Sequence, residues 1–177
     1  MKTYVALLRG INVGGKHSLP MKELVAILES FGCENVRTYI QSGNAVFQHK
    51  PADAKKLASK VPAAIDKKFR FAPQMQIMEA KQLEKIVKTN PFPEAVDDPK
   101  SLHVWFLAEK PTKPNLAALD VLRSKSEQSE LRGTTFYLYA PDGIGRSKLA
   151  AAVERHLGVA ATARNWRTVS ALLKLAE

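Results

Sequence analysis

The chain has 177 residues, 45% hydrophobic and 25% charged, which excludes collagen-like, low-complexity and disordered chains and leaves room for one domain or two small ones. Lys and Arg outnumber Asp and Glu by 27 to 17, a formal net charge of +10, so acidic partners are favoured over basic ones. Cys33 is the single cysteine, and His17, His49, His103 and His156 lie far apart in sequence; an internal disulfide is excluded, and no metal or cofactor is expected.

The apolar run Tyr4–Leu8 ends at Arg9, too short for a signal peptide. No apolar stretch approaches the roughly 18 residues of a membrane span. The expectation is a cytoplasmic protein with no membrane partner. Residues 3–8 predict a buried strand, and the glycines of Arg9-Gly10-Ile11-Asn12-Val13-Gly14-Gly15-Lys16 a loop. Pro20 suits the first turn of a helix whose apolar positions are Leu24, Ile27, Leu28 and Phe31, with Gly32 closing it. Val36, Tyr39 and Ile40 mark a second strand, joined to Ala45-Val46-Phe47 by a turn at Ser42-Gly43-Asn44.

A basic helix is expected over about 52–69, with Leu57, Val61, Ile65 and Phe69 as its stripe and a kink or restart at Pro62. Gln74–Met78 predicts a fourth strand. The order β-α-β-β-α-β is the split, ferredoxin-like one, with an antiparallel sheet and both helices on one face. A connecting helix follows around Leu83, Ile86 and Val87, then a stop at Asn90-Pro91-Phe92-Pro93 and an acidic boundary loop. Beyond it the spacing predicts a strand at His103–Leu107, a helix at Leu116–Leu122, a hairpin around Arg132-Gly133, and a helix ending at Gly158. Val159–Thr162 stands where a last strand belongs, before a terminal helix from about 166. The expected fold is α+β: two ferredoxin-like halves, 1–89 and 90–177, the second modified and ending in a C-terminal helix.

The charge is uneven. Residues 1–89 carry +8, residues 90–142 carry −2 and residues 143–177 carry +4. Lys50–Arg70 is the densest stretch. It is either a solvated helix face or a surface that gathers polyanions by counterion release.

Three stretches together mark a family: Leu-Leu-Arg-Gly-Ile-Asn-Val-Gly-Gly at 7–15, Tyr-Ile-Gln-Ser-Gly-Asn-Ala-Val-Phe at 39–47, and Ala-Thr-Ala-Arg-Asn-Trp-Arg-Thr-Val at 161–169. Asn-Pro-Phe at 90–92 and Ser-Lys-Leu at 147–149 fit as well. The chain resembles the bacterial domain-of-unknown-function family 1697 over nearly its whole length. The resemblance implies an α/β protein with ferredoxin-like halves and supplies no reaction. Ala163 stands where the family pattern leads one to expect a second Thr, so no role for that hydroxyl is carried over.

Four segments are candidates for ligand or anion binding. In the first, Arg9, Gly10, Asn12, Gly14, Gly15 and Lys16 could cradle an anion before a helix; alternatively the glycines serve backbone conformations with positive φ. In the second, Gln41, Ser42 and Asn44 either make a tight turn or place polar groups beside the first loop. In the third, Arg164, Asn165, Trp166 and Arg167 combine guanidinium forks with a stacking ring at a helix start; Asn165 or Thr162 as a cap and Trp166 as a core anchor are the structural alternatives. Ser147 and Lys148, after Arg146, repeat the loop-to-helix theme.

No nucleophile motif and no carboxylate pair stands out, so an enzymatic role stays open. Two functional readings compete with a blander one, a partner-binding or dimeric scaffold. The first is a polyanion module binding nucleic acid, which an uninterrupted basic stripe through Lys55, Lys60 and Lys67 would favour. The second is a small anionic-metabolite binding protein or enzyme with a site between the halves, built from Arg9, Asn12, Arg164 and Asn165. The oligomeric state is not legible in the chain.

Overall fold

A computed structural model describes residues 1–177. Two compact units emerge, Met1–Lys85 with Ser170–Glu177, and Ile86–Val169.

The first unit is built on β1 (Lys2–Arg9), α1 (Met21–Ser30), β2 (Glu34–Tyr39), β3 (Asn44–His49), α2 (Pro51–Phe69) and β4 (Gln74–Glu79), followed by α3 (Ala80–Lys88). Its antiparallel sheet has the order β2-β3-β1-β4, the ferredoxin-like arrangement. Side chains of a strand alternate between faces. Tyr4, Ala6, Leu8 and Phe47 therefore share one face and form a core with Leu24, Leu28, Leu57, Val61 and Ile65 of α1 and α2. Val5, Leu7 and Val46, on the helix-free face, are buried as well.

The second unit repeats the plan: β5 (Leu102–Leu107), α4 (Leu116–Leu122), β6 (Gln128–Arg132), β7 (Thr135–Tyr139), α5 (Lys148–Leu157) and β8 (Ala161–Asn165); α6 (Trp166–Ala176) follows, and its residues from Ser170 onward belong to the first unit. The sheet order is β6-β7-β5-β8, again antiparallel. Trp105, Leu107, Phe136 and Leu138 pack against Leu119, Leu149, Val153 and Leu157. On the helix-free face, Val104, Phe106 and Tyr137 are buried. The segment after α3 runs along part of that face: the Tyr137 hydroxyl donates to Ile86 O at 2.8 Å, and Phe92 lies 6.2 Å from the Tyr139 ring.

Four expectations are corrected. α2 runs unbroken through Pro62 from Pro51 to Phe69; the apolar stripe of Ala54, Leu57, Val61 and Ile65 holds it on the sheet, although an interior proline costs about 3 kcal/mol of helix propensity. The acidic boundary stretch contains a 3-10 turn, Pro93–Asp97. The last strand of the second half is complete but lies later, at Ala161–Asn165, so Thr162 and Arg164 are strand residues rather than part of a helix start. Ile40 lies outside β2, in the turn, with φ +49. For a β-branched side chain this left-handed backbone is an outlier costing about 1–2 kcal/mol.

Candidate functional site

The antiparallel register decides which loops meet. Leu7 pairs with Asn44 and Arg9 with Gln74. The end of β1, the β2–β3 turn and the α2–β4 connection therefore share one end of the first sheet. The 9–16 loop and Gln41–Asn44 do come together there.

The glycine loop is a small hairpin. Lys16 N donates to Val13 O at 3.0 Å, and Asn12 N donates to His17 O at 3.0 Å. Gly14 and Gly15, at φ +58 and +72, have the two successive positive values that a two-residue primed turn requires. The tip stands well before Met21, where α1 begins, and Glu23 already occupies the first turn of that helix. The anion cradle against a helix start is not what this loop forms.

Asn12 is a structural clamp. Its Nδ2 donates to Leu19 O at 2.9 Å and to Gln41 O at 2.7 Å, while Oδ1 accepts from Leu19 N at 2.8 Å. Asn44 is fully buried, and its Nδ2 donates to Tyr39 O at 3.0 Å and reaches Ser42 Oγ at 3.1 Å. Gly43 has φ +81, and a Cβ there would stand 2.7 Å from Leu8 Cβ and 2.8 Å from Ile11 Cδ1. Asn12, Gly43 and Asn44 thus build the platform on which the loops stand. His17 adds a further tie by stacking on Phe71 at 4.7 Å between ring centroids.

What this end presents is charge and two aliphatic tips. Arg9, Lys16 and Arg70 are exposed, and residues 9–19, 40–43 and 70–73 contain no Asp or Glu. Val13 is 66% exposed and Ile40 53%. Sequence reasoning missed both tips: Ile40 reads as the end of a strand, and Val13 is an aliphatic residue in a loop whose glycines and charges draw the attention. Arg9 keeps a contact with Gln74, Nη1 to Oε1 at 3.4 Å.

The outer face of α2 leads to this end. Lys55, Lys56, Lys60, Lys67 and Lys68 are all exposed. Lys56 pairs with Asp53 at 2.9 Å and Lys68 with Glu23 of α1. The Lys56 bond holds the Asp53 carboxyl below its ordinary range, and the Lys68 bond does the same for Glu23. Lys55, Lys60 and Lys67 are exposed and make no ion pair, although the Lys60 charge also acts on the Asp53 carboxylate and Asp66 is exposed beside Lys67.

The third segment divides. Trp166 is 3% exposed, a buried anchor rather than a stacking ring. Asn165 Oδ1 accepts from Thr168 N at 3.0 Å and so caps α6. Arg167 is exposed. Arg164 is half-buried, its Nη1 donates to Ala163 O at 2.9 Å, and burial pushes its pKa down to about 10, still cationic at neutral pH. Thr162, two residues away on the same face of β8, is buried with an Oγ1 that has no hydrogen-bond partner. The sequence held no signal for that orphaned hydroxyl.

Ser147 is the N-cap of α5, accepting from Ala150 N at 3.0 Å. Arg146 and Lys148 beside it line a groove of about 620 Å³ with Arg123, Glu127 and Asp142, a lining of mixed sign. Cys33 is buried, and burial pushes its thiol up to about 11, so it is protonated and inert at neutral pH. No group of three or more His, Cys, Asp or Glu side chains could hold a metal ion. No helix is long and apolar enough to cross a membrane.

Comparison with known proteins gives a family and a fold. The conserved bacterial protein SP0830 from Streptococcus pneumoniae is 23% identical, with 99% of each chain covered and a TM-score of 0.71; at that identity the likeness shows the fold alone. A putative glycine cleavage system transcriptional repressor is 11% identical over 92% of this chain and 95% of its own, at a TM-score of 0.26, too low to bear on fold or function. No curated protein matches. The model of the family described as "Protein of unknown function (DUF1697)" matches residues 1–137, and the chain belongs to that family.

Proposed function

We propose that this protein binds duplex nucleic acid through its phosphate backbone, using the outer face of α2. The observation that carries this reading is the continuity of that helix. Pro62 does not break it, so the unpaired Lys55, Lys60 and Lys67 stand on one rigid element. They span twelve helical positions, about 18 Å at 1.5 Å per residue. Roughly ten phosphates lie along that length of a duplex at one charge per 1.7 Å. Arg70, Lys16 and Arg9 extend the basic surface at the loop end.

The RNA-recognition mode known for ferredoxin-like sheets does not fit. It needs exposed rings on the helix-free face. Here Phe47 and Phe136 point into the helix-side cores, Val5, Leu7, Val104, Phe106 and Tyr137 of the helix-free faces are buried, and the remaining rings of those faces, Tyr39 and Tyr139, are half-buried rather than exposed. Trp166 is buried too. Backbone contact is the remaining mode, and it selects weakly for sequence.

The test is duplex binding across a salt series, comparing wild type with Lys55→Gln/Lys60→Gln/Lys67→Gln. If the three lysines each neutralise a phosphate, the slope of log affinity against log salt becomes shallower by about 2.7. No binding at about 50 mM salt, where phosphate contacts are strong, rejects the reading. An unchanged slope in the triple variant moves the interface elsewhere.

One observation favours a second reading, a small anionic ligand. A buried hydroxyl with no partner costs about 1–3 kcal/mol, and Thr162 carries one two residues from the Arg164 cation. An oxyanion there would accept from both. Phosphate should then raise the Tm of wild type and not that of Thr162→Val; equal shifts remove this reading.

A further inference from the structure

Val13 and Ile40 gain little by folding where they are. Both are more than half exposed, and Ile40 also holds a left-handed backbone. Strain at an exposed side chain is not offset by packing of that side chain, and such outliers cluster at active sites, ligand clamps and switch regions. The two tips are coupled, because Asn12 Nδ2 in the loop of Val13 donates to the carbonyl of Gln41, next to Ile40. Around them stand Arg9, Lys16 and Arg70, with no carboxylate in the three loops. A partner for this surface must carry negative charge outside and accept an aliphatic side chain within.

We propose that Val13 and Ile40 form an apolar wedge that enters a base step of the duplex and bends it, while the flanking cations hold the phosphates. This rests on the duplex reading given above. Apolar side chains inserted between base steps unstack and kink duplex DNA. The exposed large apolar side chains are Met1, Val13, Ile40, Val96, Leu116 and Val121; none is aromatic, so a stacking platform for single strands is missing while an aliphatic wedge is present. Beside Val13, the positions a Cβ would take at Gly14 and Gly15 meet no atom within 4 Å, so the turn stands in open space with nothing of the chain packed against its tip.

The experiment uses the full chain and a duplex labelled at both ends for energy transfer, with 2-aminopurine at internal steps. Wild type should raise the transfer efficiency and the 2-aminopurine emission. Ile40→Asn should relieve the backbone strain, raising Tm by roughly 2–4 °C. It should also bind roughly tenfold more weakly and leave the duplex straight. Val13→Ser, in an exposed turn, serves as the second variant and should lose part of the bend. A duplex that wild type binds but leaves straight and stacked overturns the wedge and leaves the phosphate reading standing. The wedge is likewise overturned if Ile40→Asn bends DNA as wild type does, or if the tips are needed only for binding to vesicles of anionic phospholipid. No duplex binding at all by wild type removes both readings.

Discussion

The two halves share one plan and differ in what they present. Each runs β-α-β-β-α-β and then a helix, and the sheet orders β2-β3-β1-β4 and β6-β7-β5-β8 correspond strand for strand. Their surfaces do not correspond. The second helix of the first half, α2, has 19 residues and a lysine face, whereas its counterpart α5 has 10. The first hairpin closes with a strained, clamped turn at residues 40–43, the second with the simple Arg132-Gly133-Thr134-Thr135 connection. Both sheets carry the inward apolar pattern that a four-stranded sheet needs, while their outward residues, which packing does not constrain, differ. Function therefore has to be argued from surfaces and not from the shared fold.

The final helices give the largest test of that comparison. α3 and α6 each start directly after a fourth strand, α3 at Ala80 and α6 at Trp166. Trp166 is buried where Ala80 is half-buried. Trp166→Ala should lower the unfolding free energy by about 3–5 kcal/mol in a urea titration. A variant as stable as wild type would show that the ring is not an anchor and would restore its case as a ligand contact.

The hairpins give a middle-sized effect. Gly43 and Gly133 both have positive φ, +81 and +59, but only Gly43 would drive a Cβ into Leu8 and Ile11. Gly133→Ala should cost about 1 kcal/mol, for backbone strain alone. Gly43→Ala should cost about 2–4 kcal/mol, for strain and overpacking together. Equal losses would mean that the first turn is no more tightly built than the second.

The smallest effect is on pH dependence, and it belongs to the second half. His103 stands beside Trp105, with ring centroids 6.2 Å apart, and burial pushes its pKa below the ordinary 6.5. Its Nδ1 has no partner. The folded state therefore favours the neutral ring. Its contribution to stability is complete above the unfolded pKa and is lost as pH falls through and below 6.5, because the unfolded chain takes up the proton first. Urea titrations from pH 8 to pH 5 should show a decline that His103→Leu reduces. A variant that declines as steeply as wild type would place the acid sensitivity elsewhere.

Much of the architecture was legible in the chain. The apolar spacing of Leu24 and Leu28, or of Leu57, Val61 and Ile65, marks helices because a 3.6-residue period puts those side chains on one face. Gly32 and Gly158 close their helices because both adopt left-handed backbones. The family segments were legible as well, but not what their residues do. Asn12, Gly43, Asn44 and Asn165 stood out as candidates for ligand contact or for turns and caps, and the structure spends their polar or conformational capacity on the chain itself.

Sequence alone determined the element order, the repeated half, the family and the excess of positive charge, since each depends on local spacing or on composition. Tertiary structure decided which loops meet at one sheet end, that Trp166 is buried, that Pro62 leaves α2 whole, and that Val13 and Ile40 are the exposed tips. Those outcomes depend on strand register and on packing between residues distant in sequence. A local pattern carries no record of either.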